Sequence, residues 1–261
     1  SVEMLKAGFI FSLLVLVYSA LGQTVAPGGP GRDAQWATAG KQAVGTSATL
    51  ESKVWFTLAQ GVMTEVYYPD VTVANVHLLQ FLIKDQKTYD TWTERDDSIH
   101  TLRVLRPDSL SFQQINTAKT GYWKIIKTYT VDPESNTILI YVTFKAYKKN
   151  LALYVYYDPS LANSGMHDTA GRFASYMTAY DGDIASALVF SPISTESSGF
   201  LGVNDGLSLS PGRLFIGSGA ERAENGNVVH TAMLVSPKKG PFTVALSFAR
   251  SEKAAVDTAL K

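Results

Sequence analysis

Two alternating runs on either side of a glycine turn, within residues 52–69, most constrain how this chain can fold. Hydrophobic and polar side chains alternate with a period of two in residues 54–58 and again in residues 62–68. This is the pattern of β-strands with two different faces. The intervening residues 59–61 predict a three-residue hairpin loop with glycine at a left-handed position. Because Pro69 cannot donate a ladder hydrogen bond, it ends the second strand, and the stretch predicts an antiparallel β-hairpin.

The two faces of this predicted hairpin differ in chemistry. If Leu58 lies opposite Val62 across the loop, then Trp55 lies opposite Glu65. One face is then mainly aliphatic, and the other carries Trp55, Glu65 and Tyr67. An acid beside two amphipathic rings suits hydrogen bonding to sugars, and it suits a domain interface equally well. Of the two roles we expect the interface.

Strand-like runs separated by short turn sequences fill most of the remaining chain. Residues 122–144 predict a second long hairpin around a D-P-E-S-N turn, and residues 173–180 predict a further strand. The first convincing helical pattern is at residues 252–260, where Ser251 is placed to cap it. Since a parallel α/β fold needs crossover helices, the sequence predicts an all-β fold, a large antiparallel sandwich.

Composition excludes several functional classes. The 261 residues include 23 basic and 23 acidic side chains, so the formal net charge is zero. This balance gives no reason to expect nucleic acid or an anionic membrane surface as a partner. The absence of cysteine excludes disulfides and thiolate metal sites.

The amino terminus has the layout of a secretory signal peptide. Lys6 precedes an apolar run at residues 9–18, and the small residues Ala20 and Gly22 provide a cleavage site. The run is shorter than the roughly 20 apolar residues of a membrane span, although an uncleaved anchor is the alternative. We therefore expect a protein that is secreted or periplasmic and that does not remain in the membrane after cleavage.

A polar loop after a tyrosine-rich strand is the second candidate recognition site. Residues 154–169 read Y-V-Y-Y-D-P-S-L-A-N-S-G-M-H-D-T. Loops at the rim of a rigid sheet often carry binding residues, which makes Asp158, Asn163 and Asp168 candidates. In the alternative interpretation, Asp158 and Asn163 only cap turns within the loop.

No pattern in the chain predicts a cofactor, a metal or a catalytic centre. The four histidines are scattered without metal-ligand spacing, and the D-G-D sequence at residues 181–183 is more typical of a plain turn than of a calcium site. Glycoside hydrolysis usually needs two carboxyl groups on either side of the scissile bond. The acidic residues here, including Asp168 and the charged loop 94–97, stand in no context that predicts a raised pKa.

Several strings of residues follow one another in the order found in one known family. They are A-P-G-G-P-G at 26–31 with Trp36, V-G-T at 44–46, V-W-F-T at 54–57, Gly61, E-V-Y-Y-P at 65–69, D-P at 158–159 and L-A-N-S-G at 161–165. These strings closely resemble the amino-terminal domain of bacterial glucoamylases and glucodextranases, the family-fifteen glycoside hydrolases. The resemblance extends from about residue 26 to the end of the chain.

The resemblance implies a large antiparallel super-β-sandwich of the galactose mutarotase-like kind. It also implies a parent enzyme that releases glucose from α-1,4 or α-1,6 glucans with inversion. The catalytic glutamates of that family lie in a following α/α barrel, so no catalytic residue is carried over to this chain. The expected division is a signal peptide at 1–22, the sandwich domain at 23–250, and the start of a linker toward the barrel at 251–261.

Three functions therefore compete. The leading hypothesis is a non-catalytic accessory domain of a secreted glucoamylase or glucodextranase-like enzyme, with the barrel as partner and α-glucan as a second candidate partner. The alternative is a free-standing carbohydrate-binding sandwich, which flat exposed aromatic side chains would favour. The third is a mutarotase-type epimerase, which needs a histidine and a carboxylate facing each other in a cleft.

We predict that secreted protein begins at Gln23, because the small-residue cleavage site follows the apolar run directly. Amino-terminal sequencing of material recovered from the medium or periplasm checks this. Mature protein that still contains residues 9–18 would indicate a membrane anchor instead.

Overall fold

The computed structural model describes residues 24–191, 193–208, 219–234 and 240–261. The predicted signal peptide and its cleavage site lie outside these residues. Within them, no helix is both long enough and apolar enough to span a lipid bilayer.

The described part of the chain is built almost entirely from strands, with short 3₁₀ turns at Pro107–Ser109 and Leu161–Asn163. The strands and the α-helix are β1 (Ala43–Thr46), β2 (Trp55–Ala59), β3 (Val62–Tyr67), β4 (Val76–Asp85), β5 (Thr91–Thr93), β6 (Ser98–Arg106), β7 (Ser111–Ala118), β8 (Trp123–Val131), β9 (Thr137–Ala146), β10 (Leu151–Pro159), β11 (Asp168–Phe173), β12 (Tyr176–Asp181), β13 (Ile184–Val189), β14 (Ile193–Phe200), β15 (Ala223–Gly226), β16 (Val228–Leu234), β17 (Phe242–Ala249) and α1 (Glu252–Ala259).

These strands form two antiparallel sheets that face each other. The first sheet has the order β1-β2-β3-β4-β10-β16-β14, with β5 paired to β4, and the second has the order β15-β11-β12-β13-β17-β9-β8-β7-β6. Alternate side chains of both sheets meet in one large core, which includes Phe81, Trp123, Ile140, Tyr157 and Leu246. The all-β, large antiparallel super-β-sandwich predicted from the sequence is confirmed.

The β2–β3 hairpin forms as predicted, but its predicted register is wrong. Ala59 pairs with Val62, so the loop has two residues instead of three. Both loop residues have positive φ, 52° at Gln60 and 74° at Gly61, as a tight primed hairpin turn requires. A bulge then shifts the register between Phe56 and Leu58, so Trp55 lies opposite Tyr67 and not opposite Glu65.

The segment 173–180 also differs from the prediction. Instead of one strand it is the hairpin of β11 and β12, with Phe173 paired to Tyr176. Ala174 in the turn has a φ of 55°. Alanine is an uncommon residue in the left-handed region, so no turn is predicted at this point from the local residues.

The predicted carboxy-terminal helix is present and packs on the outer face of the second sheet. The Ser251 hydroxyl accepts a hydrogen bond from the Ala254 amide, which caps the first turn. Ala255 and Val256 are buried against Ala187 and its neighbours on β13. This helix therefore covers the β12–β13–β17 part of the sheet.

A buried ion pair connects the two sheets. Lys127 on β8 and Glu94, which follows β5, are both fully buried, and Lys127 Nζ lies 2.7 Å from Glu94 Oε1. Glu94 is the first residue of the charged loop 94–97, and it is buried although its sequence neighbours are charged. Glu94 Oε2 accepts a 2.9 Å hydrogen bond from the Phe81 amide on β4. Asn116 on β7 donates to Glu94 Oε1 at 2.7 Å.

The same cluster holds the turn of the β2–β3 hairpin. The Gly61 carbonyl accepts hydrogen bonds from Lys127 Nζ at 2.8 Å and from Asn116 Nδ2 at 2.7 Å. A β-carbon at Gly61 would lie 2.2 Å from His100 Nδ1. Glycine is therefore required at this position by its positive φ and by the close approach of the second sheet.

We predict that Lys127→Met lowers the free energy of unfolding by about 3–5 kcal/mol, because it leaves the buried Glu94 carboxylate without its counter-ion. Chemical denaturation measures the change. The control is Lys253→Met, which removes the lysine of an exposed pair with Asp257 and should leave stability nearly unchanged. Equal effects of the two substitutions would contradict a special role for the buried pair.

Candidate functional site

The outer face of the first sheet brings together the three hairpin residues predicted as a site. Trp55 and Tyr67 are cross-strand neighbours, and the Tyr67 hydroxyl donates a 2.6 Å hydrogen bond to Glu65 Oε2. The Trp55 side chain is 37% exposed, whereas Glu65 is buried. We call Trp55, Glu65, Tyr67 and Lys41 the hairpin face.

Lys41 is a member of this face that sequence reasoning missed. Its Nζ lies 3.1 Å from Glu65 Oε2, the oxygen that Tyr67 also contacts. Burial, together with the Glu65 hydrogen bond and charge, raises the pKa of Tyr67 to about 12. The tyrosine therefore remains a hydrogen-bond donor at neutral pH. Lys41 precedes β1, which pairs with β2 from Ala43 opposite Leu58, and no local pattern around residue 41 signals its contact with Glu65.

The loop after β10 lies beside the hairpin face. Asn163 accepts a hydrogen bond from the Ala74 amide at 2.8 Å and donates to the Thr72 carbonyl at 3.0 Å. Ala74 in turn forms an isolated antiparallel bridge with Tyr67. Ala74 thus connects the two regions predicted as sites, the hairpin face and the loop after β10. The role of Asn163 is to attach this loop to the β3–β4 connection.

Asp158 makes a direct contact with a histidine that the sequence did not single out. Its Oδ2 lies 2.8 Å from His77 Nδ1, while its Oδ1 is buried without a hydrogen-bond partner among the described residues. Burial raises the pKa of Asp158, and the His77 hydrogen bond opposes the rise. Because the two groups touch, no sugar fits between them, and a mutarotase-type arrangement of histidine and carboxylate is not formed here.

Asp168 is fully buried at the start of β11. Its Oδ2 accepts a 3.0 Å hydrogen bond from the Leu161 amide, and its Oδ1 has no partner among the described residues. Burial is the main reason that its pKa rises to about 8. The sequence-based expectation that no acid has a raised pKa is therefore wrong for Asp168 and Asp158. Their burial depends on long-range packing that the local sequence does not reveal.

The described residues contain no group of three or more histidine, aspartate or glutamate side chains close enough to hold a metal ion. The hairpin face and the adjoining loop instead offer a half-exposed indole above polar groups that are already bonded to one another. Such an arrangement suits contact with another protein surface better than catalysis.

We predict that Asp168 makes the protein less stable as the pH rises from about 4 to about 8. The unfolded chain loses this proton near the ordinary value of 3.8, whereas the folded protein keeps it to about 8. In that window the folded state binds more protons, so the unfolding free energy falls by up to about 1.4 kcal/mol per pH unit. Asp168→Asn should flatten this slope in urea titrations. The control is Asp183→Asn, which changes a 79% exposed side chain and should leave the slope unchanged. Equal slopes in the wild type and both variants would contradict the assignment to Asp168.

Comparison with known proteins identifies the domain. The family model for "Glucodextranase, domain N" matches residues 26–261. A glucoamylase from Clostridium sp. (strain G0005) is 30% identical over 247 residues, which cover 89% of this chain and 34% of that protein. A crystal structure of a bacterial glucoamylase complexed with acarbose matches with a TM-score of 0.83 and 30% identity, over 92% of this chain and 36% of that one.

The chain spans about a third of the length of these relatives. They are larger glucoamylases, in which a domain of this kind is joined to a catalytic domain. Because the family model covers nearly all of the described sequence, the chain belongs to the glucodextranase domain N family, the amino-terminal domain of glucoamylases and glucodextranases.

Proposed function

We propose that this chain is the non-catalytic accessory domain of a secreted, inverting, exo-acting α-glucan hydrolase, and that it supports the folding and positioning of a catalytic α/α barrel. The observation that carries the proposal is the match of 89% of this chain to only 34% of a glucoamylase. The rest of such a glucoamylase is available, in the same polypeptide, as a partner for the domain that this chain resembles. The secreted location rests on the signal-peptide pattern of residues 4–22.

We assign the contact with the barrel to the hairpin face and the adjoining loop. Glu65 Oε2 already accepts from Tyr67 and pairs with Lys41, so this carboxylate oxygen is not available as a free sugar ligand. A protein surface can cover such a face without leaving a charge unpaired. Trp55 supplies the amphipathic ring that typically anchors an interface. These contacts favour docking over free-standing carbohydrate binding at this face.

The gene supplies the most direct test. Under the proposal, the reading frame continues beyond codon 261 into a domain with the helical pattern of an α/α barrel and two catalytic glutamates. A stop codon directly after Lys261, in a gene without a neighbouring barrel, would favour the free-standing alternative.

We predict that Trp55→Ala weakens docking of the catalytic domain about tenfold or more. Loss of a buried indole costs on the order of 2 kcal/mol, which corresponds to about 30-fold in affinity. Calorimetric titration of the two separately expressed domains measures the change. The indole is already 37% exposed in the free domain. The melting temperature of the isolated domain should therefore change little in the Trp55→Ala variant.

The matched control is Tyr141→Ala, since Tyr141 is 51% exposed on the outer face of the second sheet. This variant should keep the wild-type docking affinity. Equal weakening by both substitutions, or none by Trp55→Ala, would remove the hairpin face from the interface.

A further inference from the structure

A short segment connects the two regions that we assigned to contact with the barrel. Residues 35–40, which we call the strap, run from Ala34, beside the loop after β10, to Lys41 in the hairpin face. The Ala34 amide donates a hydrogen bond to Met166 Sδ of that loop at 3.1 Å. At the other end, Lys41 Nζ lies 3.1 Å from Glu65 Oε2. Both ends of the strap are therefore fixed to the domain.

The middle of the strap carries an exposed indole. In the part of the chain that the structure describes, residues 35–40 form hydrogen bonds only with one another and with Lys41. Trp36 lies in this stretch and is 59% exposed, compared with 37% for Trp55. The strap therefore presents an indole that is more accessible than the one already assigned to the interface.

The composition of the strap suits a dry contact with another protein. Its sequence, Q-W-A-T-A-G, contains no charged residue, and three of its six residues are alanine or glycine. Small side chains let a second surface approach the backbone closely. An indole provides a large, rigid contact area at a low cost in side-chain entropy, and tryptophan is enriched among the residues that dominate binding energy.

The position of the strap selects its partner. The chain spans at most about 25 Å between Ala34 and Lys41, so Trp36 stays beside the area between the hairpin face and the loop after β10. A protein surface that covers both of these regions also covers the segment that connects them. Because both ends of the strap are already fixed, covering it costs less conformational entropy than ordering a free loop.

We propose that the strap docks on the catalytic barrel of the same polypeptide, with Trp36 as a second anchor beside Trp55. This inference rests on the accessory role proposed above. It extends the contact surface from the hairpin face across to the loop after β10. It also assigns to Trp36 a larger share of the contact than to Trp55, since more of its ring is accessible in the free domain.

Oxidative footprinting of this chain alone and of the full parent enzyme tests the proposal. We expect hydroxyl radicals to oxidise Trp36 at least about tenfold more slowly in the full enzyme, because the barrel covers the indole there. Mass spectrometry of the peptides that contain Trp36 and Trp55 measures both rates in one sample. Protection of Trp55 without protection of Trp36 would overturn this inference and leave the accessory proposal intact. Unchanged reactivity of both residues would contradict docking at the hairpin face as well.

Substitution of Trp36 tests its contribution to docking. In the full enzyme, Trp36→Ala should raise the oxidation rate of Trp55 about tenfold, because weaker docking leaves the hairpin face open for a larger fraction of the time. Trp36→Phe keeps an aromatic ring and should retain most of the protection. Wild-type protection of Trp55 in Trp36→Ala would overturn the role of Trp36 as an anchor.

The matched control is Tyr147→Ala. Tyr147 is 63% exposed, similar to Trp36, but it precedes β10, whereas the loop beside the strap follows β10. This variant should leave the protection of Trp55 unchanged. If it exposes Trp55 as much as Trp36→Ala does, the effect is not specific to the strap and the proposal is overturned.

Two other occupants of the strap are tested with this chain alone. Maltoheptaose at about 10 mM probes a saccharide, and a roughly hundredfold increase in protein concentration probes a second copy of the chain. Rates are normalised to Tyr147, because saccharide and protein both consume radicals. Neither titration should slow the oxidation of Trp36. Slower oxidation in either one would assign the strap to that occupant and overturn the proposal.

Discussion

The ion pair between Lys127 and Glu94 is the interaction on which the arrangement of the two sheets depends. Both charges are fully buried, so neither can exchange its partner for water. Lys127 also donates to the Gly61 carbonyl, which connects the second sheet to the turn of the β2–β3 hairpin. The position of that turn determines where β2 and β3 place Trp55 and Glu65. A charge pair in the core thus positions the residues of the outer face.

Alternation of side chains was sufficient to predict the sandwich, the β2–β3 hairpin and the chemistry of its outer face. It was not sufficient for register, since Gln60 adopts a left-handed conformation that is uncommon for a non-glycine residue, and a bulge follows. The predicted grouping of Trp55, Glu65 and Tyr67 on one face nevertheless holds. Glu65 and Tyr67 share a face because they are two residues apart on β3. Trp55 joins them because the shorter loop and the bulge together move its partner by two residues, from Glu65 to Tyr67, whereas a shift of one residue would have placed it on the opposite face.

The electrostatic environment of individual acids was much less predictable. Glu94 belongs to a run of charged residues, yet it is fully buried because Lys127 and Asn116 come from distant strands. Asp158 lies in an aromatic strand, and its partner His77 is 81 residues away in the sequence. Local sequence reports the charge of a side chain but not the distance to its partner. The raised pKa of Asp168 has the same origin, since tertiary packing buries it.

The degree to which polar groups are satisfied determines what the hairpin face can bind. Glu65 Oε2 accepts a hydrogen bond from Tyr67 and pairs with Lys41, so association at this face gains mainly from covering apolar area such as the Trp55 ring. A partner that covers the face therefore needs to supply few hydrogen-bond donors of its own. Such a surface is better suited to a large, dry protein partner than to a saccharide, because each hydroxyl group of a saccharide needs a hydrogen-bond partner when it is buried.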